Sequence, residues 1–144
     1  MFLPPDVLEE KKVETNYISS KLDVIYEDEN ILIVNKPYGL LSQSDQSQNQ
    51  DCLVNRVQAY LMEKNKYDPN KEHSFAPSIC HRLDRNTTGL VIAAKNANAL
   101  RKVNEAIANR TIQKMYRAMC WDFLNKRFYY VLLHSQRKYN CEGK

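Results

Sequence analysis

The sequence has 144 residues, the size of a single domain with one buried core. A hydrophobic content of 43% and nine tyrosines argue against a disordered chain, and no apolar run is long enough for a membrane span. The four cysteines are widely spaced and form no Cys-x-x-Cys pair or zinc-type cluster. We therefore expect no metal, no cofactor and no membrane partner. Because the first residues do not resemble a secretory signal, we also expect a cytoplasmic protein.

The net charge of +4 is unevenly distributed along the chain. Residues 1–30 contain eight acidic and three basic residues, a net charge of −5, whereas residues 31–144 contain eighteen basic and nine acidic residues, a net charge of +9. Such a basic excess is what a surface that binds a polyanion requires, although many proteins carry one without touching nucleic acid.

The first predicted element is a β-hairpin that follows an aperiodic segment. Residues 1–20 show no period and are expected to be a linker or the tail of an upstream module. Residues 23–37, DVIYEDENILIVNKP, contain two short β-branched and aromatic runs separated by EDEN, and Pro37 is expected to end the second strand. The polar, Ser- and Gln-rich residues 38–50 predict a loop of the kind that often carries function.

Two amphipathic helices are predicted downstream of this loop. The first has Asp51 as a plausible cap, and its apolar face carries Leu53, Val54, Val57, Tyr60 and Leu61. The second follows LVIAA (90–94), an apolar run of strand type, and has Asn96 as its cap. Its apolar face carries Leu100, Val103, Ala106 and Ile107.

The last predicted elements are two strands. The segment TIQKMYRAMCWDF (111–123) alternates, with one face formed by Met115, Arg117, Met119 and Trp121 and the other by Lys114, Tyr116, Ala118 and Cys120. RFYYVLLH (127–134) predicts the second strand. The order of elements predicts an α+β domain with a mixed, largely antiparallel sheet and flanking helices.

The residues best suited to chemistry lie in SICHRLDRNTTGLVIAAKN (78–96), where Arg82 and Arg85 bracket Asp84. A guanidinium within about 4 to 6 Å favours the ionised carboxylate, which is the form that a nucleophile requires. An ordinary ion pair on a surface turn is the competing interpretation, and it is the more frequent one for an isolated Arg-x-Asp.

Three other interpretations of this stretch are weaker. Cys80 and His81 are adjacent, so on an extended strand their side chains point to opposite faces, which disfavours a thiol–imidazole pair. The order His-Arg-Leu-Asp differs from the His-Arg-Asp-Leu of protein kinases, and no glycine-rich phosphate loop precedes it. A glycosidase requires a second carboxylate, and the acidic residues of the central region show no evident pairing with Asp84.

Three motifs in order resemble the RluA-like family of RNA pseudouridine synthases. HRLDRNTTGLVIAAKN (81–96) is similar to the central motif of that family, VIYEDENILIVNKPYGLLS (24–42) to its opening strand pair and Lys-Pro-x-Gly turn, and KMYRA (114–118) to its Lys-x-Tyr-x-Ala strand. The resemblance implies a pseudouridine synthase-like catalytic domain in residues 21–144. It also implies the isomerisation of uridine in rRNA or tRNA after the base is flipped out of its stack, with no cofactor.

The resemblance also assigns roles to individual residues. Asp84 takes the position of the catalytic aspartate, which attacks either the uracil ring or the ribose C1′, and Tyr116 the position of the tyrosine that packs against the target base. RNA contacts are implied for Arg82, which enters the stack in place of the flipped base, and for Arg85, His81 and Lys114. Structural support of the site is implied for Lys36, Pro37, Leu83, Thr88 and Gly89.

One motif of the family has no counterpart in this sequence. The family continues to a Gly-Arg-Thr-His-Gln-Ile-Arg motif that contributes core strands and a basic residue near the aspartate. We therefore expect only the N-terminal part of the catalytic domain. The alternative to an active synthase is a truncated or degenerate relative that binds RNA without catalysis.

Overall fold

The computed structural model describes residues 19–44, 51–71, 74–122 and 127–134. Most of the predicted leading segment 1–20, the second half of the polar loop (45–50) and the final residues 135–144 lie outside this description. The chain divides into two compact units, Met1–Arg101 and Lys102–Lys144.

The first unit contains an antiparallel sheet of four strands in the order β1-β2-β4-β3. Its strands are β1 (Asp23–Glu27), β2 (Ile31–Lys36), β3 (Ser78–Ile79) and β4 (Gly89–Ala94). The predicted hairpin is confirmed: the Asp28 carboxylate accepts hydrogen bonds from the N–H groups of Asn30 and Ile31, both at 2.7 Å, and closes the EDEN turn. Pro37 follows β2 directly, as predicted, because proline has no N–H for the ladder.

Side chains along β2 and β4 alternate between the two faces of the sheet, and one of these faces lies in the core. Leu32 pairs with Ala93 and Val34 with Val91 across the two strands, and all four are fully buried. The predicted face of the first helix, α1 (Leu53–Glu63), joins this core through Leu53, Val57 and Leu61, each at most 1% exposed. Burial of each such side chain contributes about 1.5 to 3 kcal/mol to folding.

The start of α1 differs from the prediction. Its N-cap is Cys52, without a side-chain capping bond, and Asp51 instead forms a two-point ion pair with Arg56, with both N–O distances 2.7 Å. The first N–H groups of the helix, which lack helical partners, are bonded by the loop: Leu53 N donates to Leu41 O at 2.8 Å and Val54 N to Ser42 O at 3.3 Å. This exchange attaches the described part of the polar loop to α1.

The second helix and the last two strands agree with the predictions. Asn96 caps α2 (Ala97–Ala108) by accepting a hydrogen bond from Ala99 N at 2.8 Å. In the second unit, β5 (Met115–Asp122) pairs antiparallel with β6 (Arg127–His134). On β5, one predicted face is exposed at Met115, Arg117, Met119 and Trp121, and the other is half-buried at Tyr116 and Ala118. The α+β class with antiparallel sheets and helices is thus confirmed.

Candidate active site

Strand order brings the predicted site residues of the first unit to one end of the four-stranded sheet. Lys36 ends β2 and is paired with Gly89, which begins β4. The turn that follows β2 and the loop that precedes β4 therefore meet at this end. They carry Lys36 to Ser42 and His81 to Thr88 respectively, and we call them the lysine turn and the aspartate loop.

Lys36 is the buried cation of the lysine turn. Its side chain is 0% exposed, and its ammonium donates to the carbonyl oxygens of Pro37 at 3.1 Å, Leu40 at 2.7 Å and Arg85 at 3.2 Å. Three acceptors use all three ammonium donors. Burial lowers the pKa of Lys36 below its usual value, and the negative charge of Asp84 acts in the opposite direction. The Lys36 ammonium therefore joins the lysine turn to the aspartate loop through the Arg85 carbonyl oxygen.

Gly39 joins the lysine turn to Arg85. Its N–H donates to Arg85 O at 3.0 Å, and Arg85 Nε donates back to Gly39 O at 3.1 Å. The backbone of Gly39 has φ of 82°, a conformation that glycine adopts without strain. Glycine at the last position of Lys-Pro-x-Gly thus allows the turn to reach the aspartate loop.

Ser42 fixes the other side of the aspartate loop. Its buried hydroxyl donates to Leu83 O at 2.5 Å and accepts from Leu83 N at 3.1 Å. Leu83 is itself buried, and its Cδ1 lies 3.8 Å from where a Cβ on Gly89 would be. The space beside Leu83 would accept a Cβ, so it is the backbone conformation of Gly89, with φ of 133°, that favours glycine.

Asp84 lies between these two anchored residues. It is the first residue of a tight turn in which Thr87 N donates to Asp84 O at 3.0 Å, and its side chain is exposed. Among the described residues, neither Arg82 nor Arg85 forms an ion pair with it. The competing interpretation, an ordinary ion pair on a surface turn, is therefore not supported, and the loop presents the carboxylate to solvent.

The remaining residues of the aspartate loop take different positions. Arg82 is exposed, and its Nη1 lies 3.4 Å from Gln43 Oε1. His81 is half-buried, and its Nε2 accepts from Ile92 N at 3.4 Å, which ties the loop to the edge of β4. Thr88 is exposed beside Gly89, and Pro37 is exposed on the lysine turn.

Tyr116 and Lys114 belong to the second unit. Tyr116 lies on β5, is half-buried and is paired with Leu133 of β6, and Lys114 is half-buried just before the strand. Their roles at the target base and the RNA stay predictions.

Sequence reasoning missed two contributions to this site. Ser42 lies in a polar stretch without periodicity, and its partner Leu83 is 41 residues away in the chain. The charge interaction between Lys36 and Asp84 also joins distant residues, and only the Lys-Pro-x-Gly motif marked Lys36 as a support of the site. Within the described residues, no group of three metal-binding side chains occurs, and no helix is long and apolar enough to cross a bilayer.

Comparison with known proteins identifies the family of this chain. A model of the RNA pseudouridylate synthase family matches residues 30–140, which include the lysine turn, the aspartate loop and β5. The chain belongs to the RNA pseudouridylate synthase family. The predicted resemblance to RluA-like synthases is confirmed by this match and by the relatives that follow.

Two curated relatives illustrate how far the family likeness extends. The chain is 43% identical over 118 residues to an uncharacterized RNA pseudouridine synthase of Mycoplasma capricolum subsp. capricolum, covering 81% of this chain and 34% of that protein. It is 36% identical over 105 residues to ribosomal large subunit pseudouridine synthase D of Borreliella burgdorferi, covering 73% and 32%. The chain therefore spans about a third of the length of these synthases.

A solved structure shares the fold. Human RNA pseudouridylate synthase domain containing 4 matches with a TM-score of 0.52 and 26% identity, over 67% of this chain and 33% of the human one. This match supports a partial pseudouridine synthase domain of the α+β class.

Proposed function

We propose that this chain binds RNA and isomerises a uridine to pseudouridine with Asp84 as the nucleophile. In this reaction the bond between ribose C1′ and uracil N1 breaks, the base turns, and a C1′–C5 bond forms, while C5 loses its proton and N1 gains one. Asp84 forms a transient covalent bond to the uracil ring or to C1′ and is released when the product forms.

The observation that carries this proposal is how Asp84 is held. Its backbone is fixed on both sides, at Leu83 by the Ser42 hydroxyl and at Arg85 by Gly39 and the Lys36 ammonium, while its carboxylate is exposed. A nucleophile held in this way needs little reorganisation to reach an extruded base. A surface ion pair would instead occupy the carboxylate, and no such pair is described for Asp84.

The cations beside Asp84 suit an RNA substrate. The lysine turn and the aspartate loop together carry three cations, Lys36, Arg82 and Arg85, and one carboxylate, Asp84. This excess of positive charge favours the binding of a polyanion. Extruding a base costs a few kcal/mol of lost stacking and pairing. The exposed, planar guanidinium of Arg82 can stack in the vacated position and contact phosphate, which offsets part of that cost.

The family's Lys-x-Tyr-x-Ala motif lies in the second unit and suggests roles for two of its residues. We assign Tyr116 to stacking on the extruded uracil, an interaction worth about 1 to 3 kcal/mol, and Lys114 to the RNA backbone. The substrate is rRNA or tRNA in the cytoplasm. The name of the Borreliella burgdorferi relative, which refers to the large ribosomal subunit, favours rRNA.

A second candidate function is RNA binding without turnover. The chain spans about a third of the length of its curated relatives, so the family match by itself carries RNA binding and turnover to it only as proposals. Both candidates require the same basic surface, so only an assay of the chemical step separates them.

Release of a label from C5 tests the proposal directly. The chain is incubated with rRNA and tRNA transcripts that contain uridine tritiated at C5, and tritium in water is counted. We expect release by the parent protein and none above background by Asp84→Asn, which keeps the size of the exposed side chain. Asp68→Asn, an aspartate on another surface loop, serves as the matched control and should release label like the parent.

Two results would change the assignment. Release that survives Asp84→Asn would remove Asp84 as the nucleophile. No release from the parent, together with salt-sensitive RNA binding, would leave the second candidate, in which the chain binds RNA without isomerising it.

A further inference from the structure

Tyr38 is the most exposed large apolar or aromatic side chain in the described part of the chain. It occupies the variable position of the Lys-Pro-x-Gly turn, and the residue is 70% exposed. No hydrogen bond or ion pair joins its side chain to the other described residues. A single exposed aromatic residue is common on protein surfaces, so its meaning depends on what surrounds it.

The backbone on both sides of Tyr38 is fixed to the aspartate loop. Gly39 N and O are both bonded to Arg85, and the Lys36 ammonium holds the carbonyl oxygens of Pro37 and Leu40. Standard bond lengths then keep the Tyr38 Cα within about 15 Å of the Asp84 Cα. Since stacked nucleotides of one strand rise about 3.4 Å each, only a few nucleotides separate a base at Asp84 from one at Tyr38.

The surface next to the lysine turn has room for a nucleotide. A cavity of about 310 Å³ borders it, with an apolar part formed by Leu22, Pro37 and Leu40 and a polar part formed by Lys21, Asp23, Asn35 and Arg56. The apolar part suits a base, which is desolvated there, and Lys21 lies beside it for a phosphate, whereas Arg56 is already paired with Asp51.

We infer that Tyr38 binds the RNA by stacking its ring on an unpaired base that flanks the target uridine. This inference rests on the proposed RNA substrate and adds a second aromatic contact to the site. Single-stranded bases splay out and stack on aromatic side chains without strong sequence preference. A ring on a turn that is already ordered loses little conformational freedom on binding.

The test measures RNA binding by variants that separate the ring from its hydroxyl group. A fluorescein-labelled RNA stem–loop with a uridine in its loop is titrated at several salt concentrations in the Asp84→Asn background, where the substrate is not consumed. We expect Tyr38→Phe to bind like the parent and Tyr38→Ala to bind about tenfold or more weakly. The slope of log Kd against log salt should stay unchanged, because no phosphate contact is lost.

A matched tyrosine and a fluorescent base sharpen the test. Tyr26, 49% exposed on β1 at the other end of the sheet, gives the control Tyr26→Ala, which should bind like the parent. With 2-aminopurine beside the target uridine, the parent and Tyr38→Phe should quench its fluorescence, and Tyr38→Ala should not.

Each contrary result has a distinct meaning. RNA binding and quenching by Tyr38→Ala equal to the parent would overturn the role of Tyr38 and leave the proposed function standing. Equal weakening by Tyr38→Phe and Tyr38→Ala would overturn stacking in favour of the hydroxyl group. If the Asp84→Asn parent bound no RNA even at low salt, both the proposed function and this inference would fail.

Discussion

The Lys36 ammonium lies 3.2 Å from the carbonyl oxygen of Arg85, which also accepts a hydrogen bond from Gly39 N at 3.0 Å. One carbonyl oxygen thus accepts two hydrogen bonds from the lysine turn, and it belongs to the residue that follows Asp84. A buried ammonium is costly unless it is fully hydrogen bonded. The position of Asp84 is therefore coupled to the stability of the fold through Lys36.

We predict that Lys36→Met destabilises the protein by about 1 to 3 kcal/mol. Methionine fits the space of the buried stem, but it leaves the carbonyl oxygen of Leu40 without its short 2.7 Å bond and that of Arg85 with one donor fewer. Urea unfolding at neutral pH measures the loss. Lys102→Met, which replaces an exposed lysine on α2, should change the free energy of unfolding by no more than a few tenths of a kcal/mol. Equal effects of the two substitutions would contradict the role given to Lys36.

Ser42→Ala should reduce turnover without weakening RNA binding. The variant removes the hydroxyl that bonds both backbone groups of Leu83, so the aspartate loop becomes less rigid while Arg82 and Arg85 keep their charges. We expect kcat for tritium release to fall about tenfold or more with little change in KM, and a stability loss of about 1 to 3 kcal/mol. Ser44→Ala, at an exposed position of the same loop, is the control. A rise in KM with unchanged kcat would argue against a positioning role.

The sequence predicted the strands and helices well because their patterns are local. The hairpin of β1 and β2, the apolar face of α1 and the alternation of β5 each follow from residues within one element. The Asn96 cap was predicted for the same reason, since its carboxamide reaches an N–H three residues away.

The errors and omissions arise from contacts between distant segments. Asp51 was expected to cap α1. The first N–H groups of the helix instead donate to the carbonyl oxygens of Leu41 and Ser42, and Asp51 forms an ion pair with Arg56. The competing interpretation of Asp84 as half of a surface ion pair was also left open by the sequence, and the structure shows Arg85 bonded to Gly39 instead. Such choices depend on which loops meet in the fold, and a one-dimensional pattern does not contain that information.

Arg82 and Arg85 should respond differently to substitution, although the sequence places them symmetrically around Asp84. Arg82 is exposed and its side chain makes one hydrogen bond among the described residues, to Gln43, so Arg82→Ala should leave stability nearly unchanged. If its guanidinium stacks in place of the flipped base, kcat/KM for tritium release should fall about 10- to 100-fold. Arg82→Lys should recover little of this activity, since an ammonium keeps the charge but not the planar face. Full recovery with lysine would show that charge alone is needed.

Glu27 provides a pH test of the end of the sheet opposite Asp84. Burial by itself would raise the pKa of Glu27, but hydrogen bonds from Lys66 at 2.6 Å, Lys95 at 3.1 Å and Tyr60 at 3.0 Å more than offset it and lower the pKa to about 2. These bonds join the end of β1 to α1 and to the residue after β4.

The sign of the Glu27 effect follows from proton linkage. The pKa of Glu27 is about 2 in the folded state, and its ordinary value is 4.5. Between these pH values the unfolded chain therefore binds more protons than the folded chain. The stabilisation from Glu27 is thus fully present above pH 4.5 and is lost as the pH falls towards 2. We expect Glu27→Gln to cost about 1 to 3 kcal/mol at pH 7, with allowance for solvent screening, and progressively less between pH 4.5 and pH 2. Urea unfolding across this range measures the difference, and Glu29→Gln, at the exposed neighbouring glutamate, should show almost none. A cost of Glu27→Gln that stayed constant down to pH 2.5 would mean that packing of the side chain, and not its charge, stabilises this end of the sheet.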